Sequence, residues 1–292
     1  MTKDDYDLDN IIKSSFEETI EYFNENGIKV ERLRLKLRIA KSLWSFYDIF
    51  ICRFIILVFI CSILYYVISI PIRNPLIIFI IAFVITAGYL LFLYQRNLWI
   101  YFPLDKKIFI IKKQLEKTVN RILDELSNNN IKDYSIIGIK LSKNSIISYP
   151  FYVDMKNIKN NIIKTATDSI VTHEIGHHIV GLGEWKASAF EYLVYFYKNE
   201  LYRYPKVYEI IEENIKRCER FIREKDPNPS TLGACFANDL IYIHENLLNK
   251  DKQSPKLNIK DIIEKLKYFS EDEYIDATKM INTLTKILIL LY

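Results

Sequence analysis

One five-residue segment, His173-Glu174-Ile175-Gly176-His177, constrains the fold of this chain more than any other feature. Histidine is scarce, with four among 292 residues, so an H-E-x-x-H spacing rarely arises here by chance. Residues four apart on an α-helix lie on one face, one turn above each other, so two imidazoles can reach the same metal ion. We therefore predict a helix through this segment, with His173 and His177 as ligands of Zn²⁺.

Glu174 lies between these two ligands and directly follows the first histidine. A carboxylate at this position can take a proton from a water held by the metal, which makes Glu174 the expected general base. Two other interpretations stay open. The histidine pair is a coincidence on a surface helix, or the chain is an inactive protein that has kept the motif.

A third metal ligand is needed, because a catalytic zinc site has three protein ligands and one open position for water. Gly181 and Gly183 predict a helix end and a chain reversal shortly after the motif. A new helix after this turn can bring Glu184 back beside His177, and we expect Glu184 to be the third ligand. Glu191 lies on the same helix face two turns later and is the alternative ligand.

The two motifs together resemble those of a known family. His173-Glu174-Ile175-Gly176-His177 followed by Glu184-x-x-Ala187-Ser188-Ala189-Phe190 is similar to the H-E-x-G-H and E-x-x-A-D-A-F pair of gluzincin peptidases, in particular the membrane-bound HtpX-type and CAAX-prenyl-protease group. The compact soluble ImmA-like metallopeptidases are the second family that it resembles.

The resemblance implies roles for individual residues within 173–190. His173, His177 and Glu184 would bind zinc, and Glu174 would be the base. Those families place an aspartate after the alanine of the second motif, where it orients a ligand histidine from outside the metal's ligand set. Ser188 stands at that position here.

Two long apolar runs, Phe54 to Ile70 and Leu76 to Tyr94, precede the motif. Their lengths are near the about 17 to 25 residues that a bilayer requires, and a proline-containing turn at 71–75 separates them. We predict a transmembrane helical hairpin over residues 48–96, so that a lipid bilayer is one expected partner.

Basic residues predict the orientation of this hairpin. They are concentrated on both flanks, whereas the connecting turn carries only Arg73. By the positive-inside rule the hairpin would be a two-span anchor in the cell membrane, with both termini and the metal motif in the cytoplasm. The flanking residues are Lys29, Arg32, Arg34, Lys36, Arg38, Lys41, Arg96, Lys106, Lys107, Lys112 and Lys113.

The rest of the chain predicts a mainly α fold with a small β-hairpin, an α+β zincin-like domain. Residues 1–47 form an N-terminal helical segment, 48–96 the transmembrane hairpin and 97–292 the metallopeptidase domain. Two β-rich runs, at 134–141 and 145–153, predict the β-hairpin, and the chain after Asn157 is expected to be helical. Ser270-x-x-Glu273 is a capping-box pattern that predicts the start of the last helix.

Two further polar residues are candidates for the site. His244 is a candidate for stabilising the transition state, and Asp239 for a role as a ligand or as a group that orients one. For both residues a purely structural role is the favoured interpretation. The four cysteines form no C-x-x-C pair, so the sequence predicts neither a cysteine-zinc site nor a disulfide framework, as is typical of a reducing compartment.

The function that these features favour is a membrane-anchored zinc metallopeptidase that hydrolyses a protein or peptide substrate, with membrane-associated proteins favoured by the tether. The net charge of +4 is modest and no nucleic-acid-binding motif is evident, so no nucleic-acid partner is expected. The alternative is a non-catalytic membrane protein, of scaffold or immunity type, with a degenerate or structural metal site.

Overall fold

The computed structural model describes residues 3–68, 75–102, 106–128, 135–141, 145–153, 157–181, 183–224, 228–248, 259–268 and 270–279. Within these ranges the chain is mainly helical and has two small sheets, which confirms the predicted class. The helices are α1 (Lys3–Glu25), α2 (Tyr47–Ile68), α3 (Pro75–Arg96), α4 (Lys112–Asn128), α5 (Ile158–Ile179), α6 (Glu184–Lys198), α7 (Lys206–Glu224), α8 (Pro229–Tyr242), α9 (Ile259–Tyr268) and α10 (Glu271–Lys279). The strands are β1 (Lys36–Ala40), β2 (Trp99–Phe102), β3 (Lys107–Ile111), β4 (Ser135–Ile139) and β5 (Tyr149–Val153).

The chain divides into two compact units. The larger comprises Met1–Arg34 and Thr118–Tyr292, and the smaller comprises Leu35–Lys117. This division cuts across the predicted segments 1–47, 48–96 and 97–292, because α1 packs against α5 within the larger unit.

The smaller unit contains a three-stranded sheet in the order β1-β3-β2, in which β3 is parallel to β1 and antiparallel to β2. This sheet was not predicted from the sequence, because β1 and β2 are only five and four residues long and lie on opposite sides of α2 and α3 in the sequence. Its core centres on Phe46, whose ring centroid lies 4.7 Å from that of Phe109. The other buried members are Ala40, Ile49, Leu90, Ile100, Phe102 and Ile111.

The two apolar runs form α2 and α3, which have 22 residues each. Many of their large apolar side chains are exposed, among them Ile55, Phe59, Ile63, Ile80, Phe83, Val84, Ile85 and Phe92. Judged by length and hydropathy together, no helix in the described part of the chain qualifies to cross a membrane. The predicted transmembrane hairpin is therefore not confirmed, and residues 71–74 of its predicted turn lie outside the described ranges.

Helix α6 is the centre of the larger unit. It packs against both α5 and α8, and every residue from Ala187 to Tyr197 is buried. Gly233 permits the close approach of α8, because a Cβ added there would lie 2.0 Å from the carbonyl oxygen of Trp185. A helix covered on all sides has little freedom to move, so the side chains of α6 are fixed by their neighbours.

The predicted β-hairpin forms from β4 and β5, which pair antiparallel with Ile139 opposite Tyr149. The second strand begins at Tyr149, later than predicted. Ser148 lies outside the ladder because its backbone N–H donates to the Asn214 side-chain oxygen, 3.0 Å away on α7. The hairpin is thereby joined to α7 just before β5 begins.

Helix α1 is attached to the larger unit through Asp168 of α5. The Asp168 carboxylate accepts hydrogen bonds from the hydroxyls of Ser15 and Thr19 at 2.6 and 2.7 Å, and from Lys198 of α6 at 2.8 Å. A partly buried carboxylate with three donors fixes the elements that supply them, because losing one donor leaves charge unsatisfied. The N-terminal helix is thus part of the framework around α5 and α6.

A disulfide joins Cys218 of α7 to Cys235 of α8, with the Cα atoms 5.7 Å apart. The expectation of no disulfide was therefore wrong. The two cysteines are 17 residues apart, and no short motif marks them, so only the packing of α7 against α8 brings the sulfur atoms together. Disulfides are typical of oxidising compartments.

Removing this disulfide should destabilise the protein. For the double variant Cys218→Ala/Cys235→Ala we expect the free energy of unfolding in urea to fall by about 3 kcal/mol, since the bond closes a loop of this length in the unfolded chain. Reductant should lower the stability of the wild type to that of the variant and leave the variant unchanged. Four free thiols in the denatured, unreduced wild type would contradict the pairing.

Candidate metal centre

Helices α5 and α6 supply the candidate ligands from either side of a glycine turn. His173 and His177 lie in the last two turns of α5, as predicted. The chain then reverses at Gly181, whose φ of +119° is readily adopted only by glycine, and Gly183 is the N-cap of α6. Glu184 is the first residue of α6, so this turn brings its carboxylate back over the end of α5.

The three side chains meet at one point. Each of His173, His177 and Glu184 offers a ligand atom, and these atoms all lie within 4.8 Å of one another. The two oxygens of Glu184 divide between the rings, with Oε2 3.3 Å from His173 Nε2 and Oε1 3.5 Å from His177 Nε2. Among the described residues this is the one such group found.

The glycine within the motif is explained by the packing of α6. A Cβ added to Gly176 would lie 3.0 Å from Phe190 Cδ1 and 3.2 Å from the Ala187 Cα. Glycine in a helix costs about 1 kcal/mol relative to alanine, and here that cost permits α6 to approach α5 closely. The approach is what allows a residue of α6 to reach both histidines.

The charges of the group favour a bound cation. Burial lowers the pKa of His173, but hydrogen bonds to Glu184 and Glu191 outweigh it and raise that pKa to about 10. Hydrogen bonds to His173 and His177 hold the pKa of the Glu184 carboxyl well below its ordinary value. Both shifts favour a positive charge between the imidazoles and the carboxylates, and a bound metal cation would supply one.

The donor set fits zinc. Two imidazole nitrogens and one carboxylate oxygen are ligands that Zn²⁺ accepts in tetrahedral sites, and three protein ligands leave a fourth position for water or substrate. The Glu184 side chain is 56% exposed whereas that of His173 is 7% exposed, so the group is open on the Glu184 side. Structural zinc sites, by contrast, are closed by four protein ligands.

Glu174, the expected base, is buried in α5 beside the first ligand. The electrostatic effect of its carboxylate is the smallest of the causes that raise the pKa of His173, after Glu184 and Glu191.

Glu191 does not belong to the metal-binding group. Its Oε2 lies 3.0 Å from Nδ1 of His173, the ring nitrogen opposite the one that faces Glu184. Its Oε1 accepts hydrogen bonds from the hydroxyls of Tyr149, at 2.6 Å, and Ser169. A carboxylate that contacts the ring nitrogen facing away from the metal orients a ligand histidine. In the families that the motifs resemble, an aspartate at the position of Ser188 has this role.

Tyr149 and Ser169 were not among the site residues predicted from the sequence. Ser169 lies one helical turn before His173, so the same spacing rule that found His177 also places it on this face of α5. Tyr149 lies on β5, 42 residues before Glu191, and no local pattern connects them.

The two other candidates have partners elsewhere. Nδ1 of His244 lies 3.1 Å from Glu245, whose carboxylate also accepts a hydrogen bond from Tyr197. Asp239 accepts a hydrogen bond of 2.6 Å from the Tyr274 hydroxyl, and burial raises its pKa to about 7. Neither residue is a member of the metal-binding group.

Comparison with known proteins gives no relative. No protein-family model matches the chain, and neither a curated protein nor a solved structure does. The function therefore has to be inferred from the chemistry of this site.

Removing the third ligand should weaken metal binding. For Glu184→Ala we expect substoichiometric zinc after dialysis, since a site with two protein ligands holds the ion far more weakly than one with three. Zinc content is measured by atomic emission spectroscopy on folded protein. Glu209→Ala, an exposed glutamate in the first turn of α7, is the control and should keep the wild-type content. Equal zinc in Glu184→Ala and the control would exclude Glu184 as a ligand.

Proposed function

We propose that this protein is a zinc-dependent metallopeptidase. The observation that carries the proposal is that His173, His177 and Glu184 converge at an open, three-ligand site, with the carboxylate of Glu174 next to the first ligand on the same helix. The similarity of the two motifs to those of gluzincin peptidases supports the same reaction class.

The residues have distinct parts in the proposed reaction. His173, His177 and Glu184 would hold the metal, which would polarise the scissile carbonyl and make a water at the fourth position more acidic. Glu174 takes a proton from the attacking water as the oxygen adds to the scissile carbonyl carbon. It then gives the proton to the amide nitrogen as the C–N bond breaks, so that a carboxylate and an amine leave.

Glu174→Gln separates catalysis from metal binding. We expect the variant to keep stoichiometric zinc and to lose peptide hydrolysis by at least about 100-fold, because the amide cannot accept the proton of water. Hydrolysis is followed by mass spectrometry of a mixed peptide library and of fluorescently labelled casein. Glu209→Gln is the matched control and should retain the wild-type rate.

Two results would overturn the proposal. Wild-type protein refolded or dialysed with zinc that holds no stoichiometric metal would exclude a zinc enzyme. Zinc bound at full occupancy with no cleavage of either substrate, and no difference between wild type and Glu174→Gln, would favour a non-catalytic protein with a structural metal.

We further propose that α2 and α3 anchor the enzyme to a lipid bilayer. The support is the apolar character of the two runs and the exposure of large side chains such as Phe59 and Val84, which are 65% and 62% exposed. A surface with this many exposed apolar side chains is unfavourable in water, and a bilayer would bury those of both helices at once. A membrane-proximal protein or peptide would then be the favoured substrate.

Membrane fractionation tests the anchor. We expect the wild type to remain in carbonate-washed membranes, and Phe59→Lys/Val84→Lys to shift to the soluble fraction, since a lysine at the centre of a span costs roughly 3 kcal/mol. Lysine substitutions of exposed residues outside α2 and α3, such as Glu212→Lys/Glu213→Lys, are the control. Wild-type protein found in the soluble fraction would contradict the anchor.

Two features predict opposite sides of the membrane for the metal centre. The basic flanks of the hairpin favour the cytoplasm, whereas the disulfide between Cys218 and Cys235 favours an oxidising compartment. Reporter fusions after Arg96 and after Tyr292 distinguish them, since a cytoplasmic signal at both points supports the orientation set by the basic residues.

A further inference from the structure

Glu191 is placed to control the geometry of one metal ligand without binding the metal. It lies two helical turns after Glu184 on α6, and both carboxylates contact the same imidazole, one at each ring nitrogen. Glu191 is buried. Its Oε2 contacts Nδ1 of His173, and its Oε1 accepts hydrogen bonds from the hydroxyls of Tyr149 and Ser169.

The hydrogen bonds fix which ring nitrogen faces the metal site. An ionised carboxylate is an acceptor only, so Nδ1 of His173 must be the donor in the 3.0 Å contact with Glu191. Nε2, which faces Glu184, is then the ring nitrogen left to bind a metal. Contact with Glu191 thus selects both the tautomer and the orientation of the ring.

Tyr149 and Ser169 hold Glu191 in this position. Ser169 lies on α5, one turn before His173, and Tyr149 is the first residue of β5. The Tyr149 ring is itself confined by the rings of Tyr192 and Tyr195, whose centroids lie 4.8 and 5.5 Å away. A buried carboxylate that accepts three hydrogen bonds has one favoured position, because any displacement leaves charge or a hydroxyl unsatisfied.

We propose that Glu191, held by Tyr149 and Ser169, is the positioning residue for the ligand His173. Because Tyr149 is the first residue of β5, the metal affinity then depends on the position of this strand. This inference rests on the proposed zinc site. It assigns to Glu191 the part that an aspartate at the position of Ser188 would have in the families that the motifs resemble.

Zinc affinity measured by competition with a chelator tests the proposal. For Glu191→Gln we expect the Kd for zinc to rise by about 10- to 100-fold, as is usual when the partner of a ligand histidine is changed. Tyr149→Phe removes one hydroxyl from Glu191 and should raise the Kd by a smaller factor. Its matched control is Tyr208→Phe on α7, which removes another tyrosine hydroxyl that donates to a backbone carbonyl, that of Tyr202 at 3.2 Å, and should leave the Kd unchanged.

A second measurement does not need the metal. Only four histidines are present, so the ring ¹⁵N–¹H signals can be assigned by single substitutions. We expect a hydrogen-bonded Nδ1–H of His173 at low field in both metal-free and zinc-loaded protein. It should move upfield in Glu191→Gln and, to a lesser extent, in Tyr149→Phe, but not in Tyr208→Phe.

These readouts separate the two proposals. If the wild type binds no zinc, the proposed peptidase fails, and the His173 signal alone decides whether Glu191 orients the ring. An unchanged Kd in folded Glu191→Gln, or a His173 Nδ1 without a proton, overturns the positioning role. If Glu191→Gln does not fold, the comparison of Tyr149→Phe with Tyr208→Phe decides by the same two measurements.

Discussion

The close approach of α5 and α6 at Gly176 is the contact on which the candidate metal centre depends. The two helices follow one another in the chain, and the glycine turn between them is short, so α6 folds back over the end of α5. Because Gly176 has no side chain, Phe190 and Ala187 can lie against the α5 backbone. That packing puts the two carboxylates of α6 on opposite nitrogens of one histidine.

The same helix carries the polar interactions that set its position in the core. The Tyr192 hydroxyl and the Asn214 and Asn238 side chains form a buried hydrogen-bonded cluster with the carbonyl of Ser148. Such a cluster is satisfied in one arrangement only, so it fixes α6, α7, α8 and the approach to β5 relative to each other. The position of Tyr149, and with it that of Glu191, follows from this arrangement.

The smaller unit shows how a hairpin of two apolar helices can be closed at its base. Strand β1 precedes α2, and β2 and β3 follow α3, so the pairing of β1 with β3 joins the two ends of the hairpin. Aromatic side chains such as Phe46 fill the space between the sheet and the helix ends. The exposed apolar surface of α2 and α3 therefore extends from a packed base.

The sequence by itself determined the features that depend on spacing along one helix or turn. His173 and His177 share a helix face by periodicity, the glycines predicted the reversal to Glu184, and the capping box of Ser270 and Glu273 forms with bonds of 3.0 and 3.2 Å. Only the tertiary structure decided the place of Glu191 behind His173, its contact with Tyr149, the disulfide and the sheet of the smaller unit. These features join residues that are distant in the chain, and their contacts are set by the packing of whole elements, which local spacing does not encode.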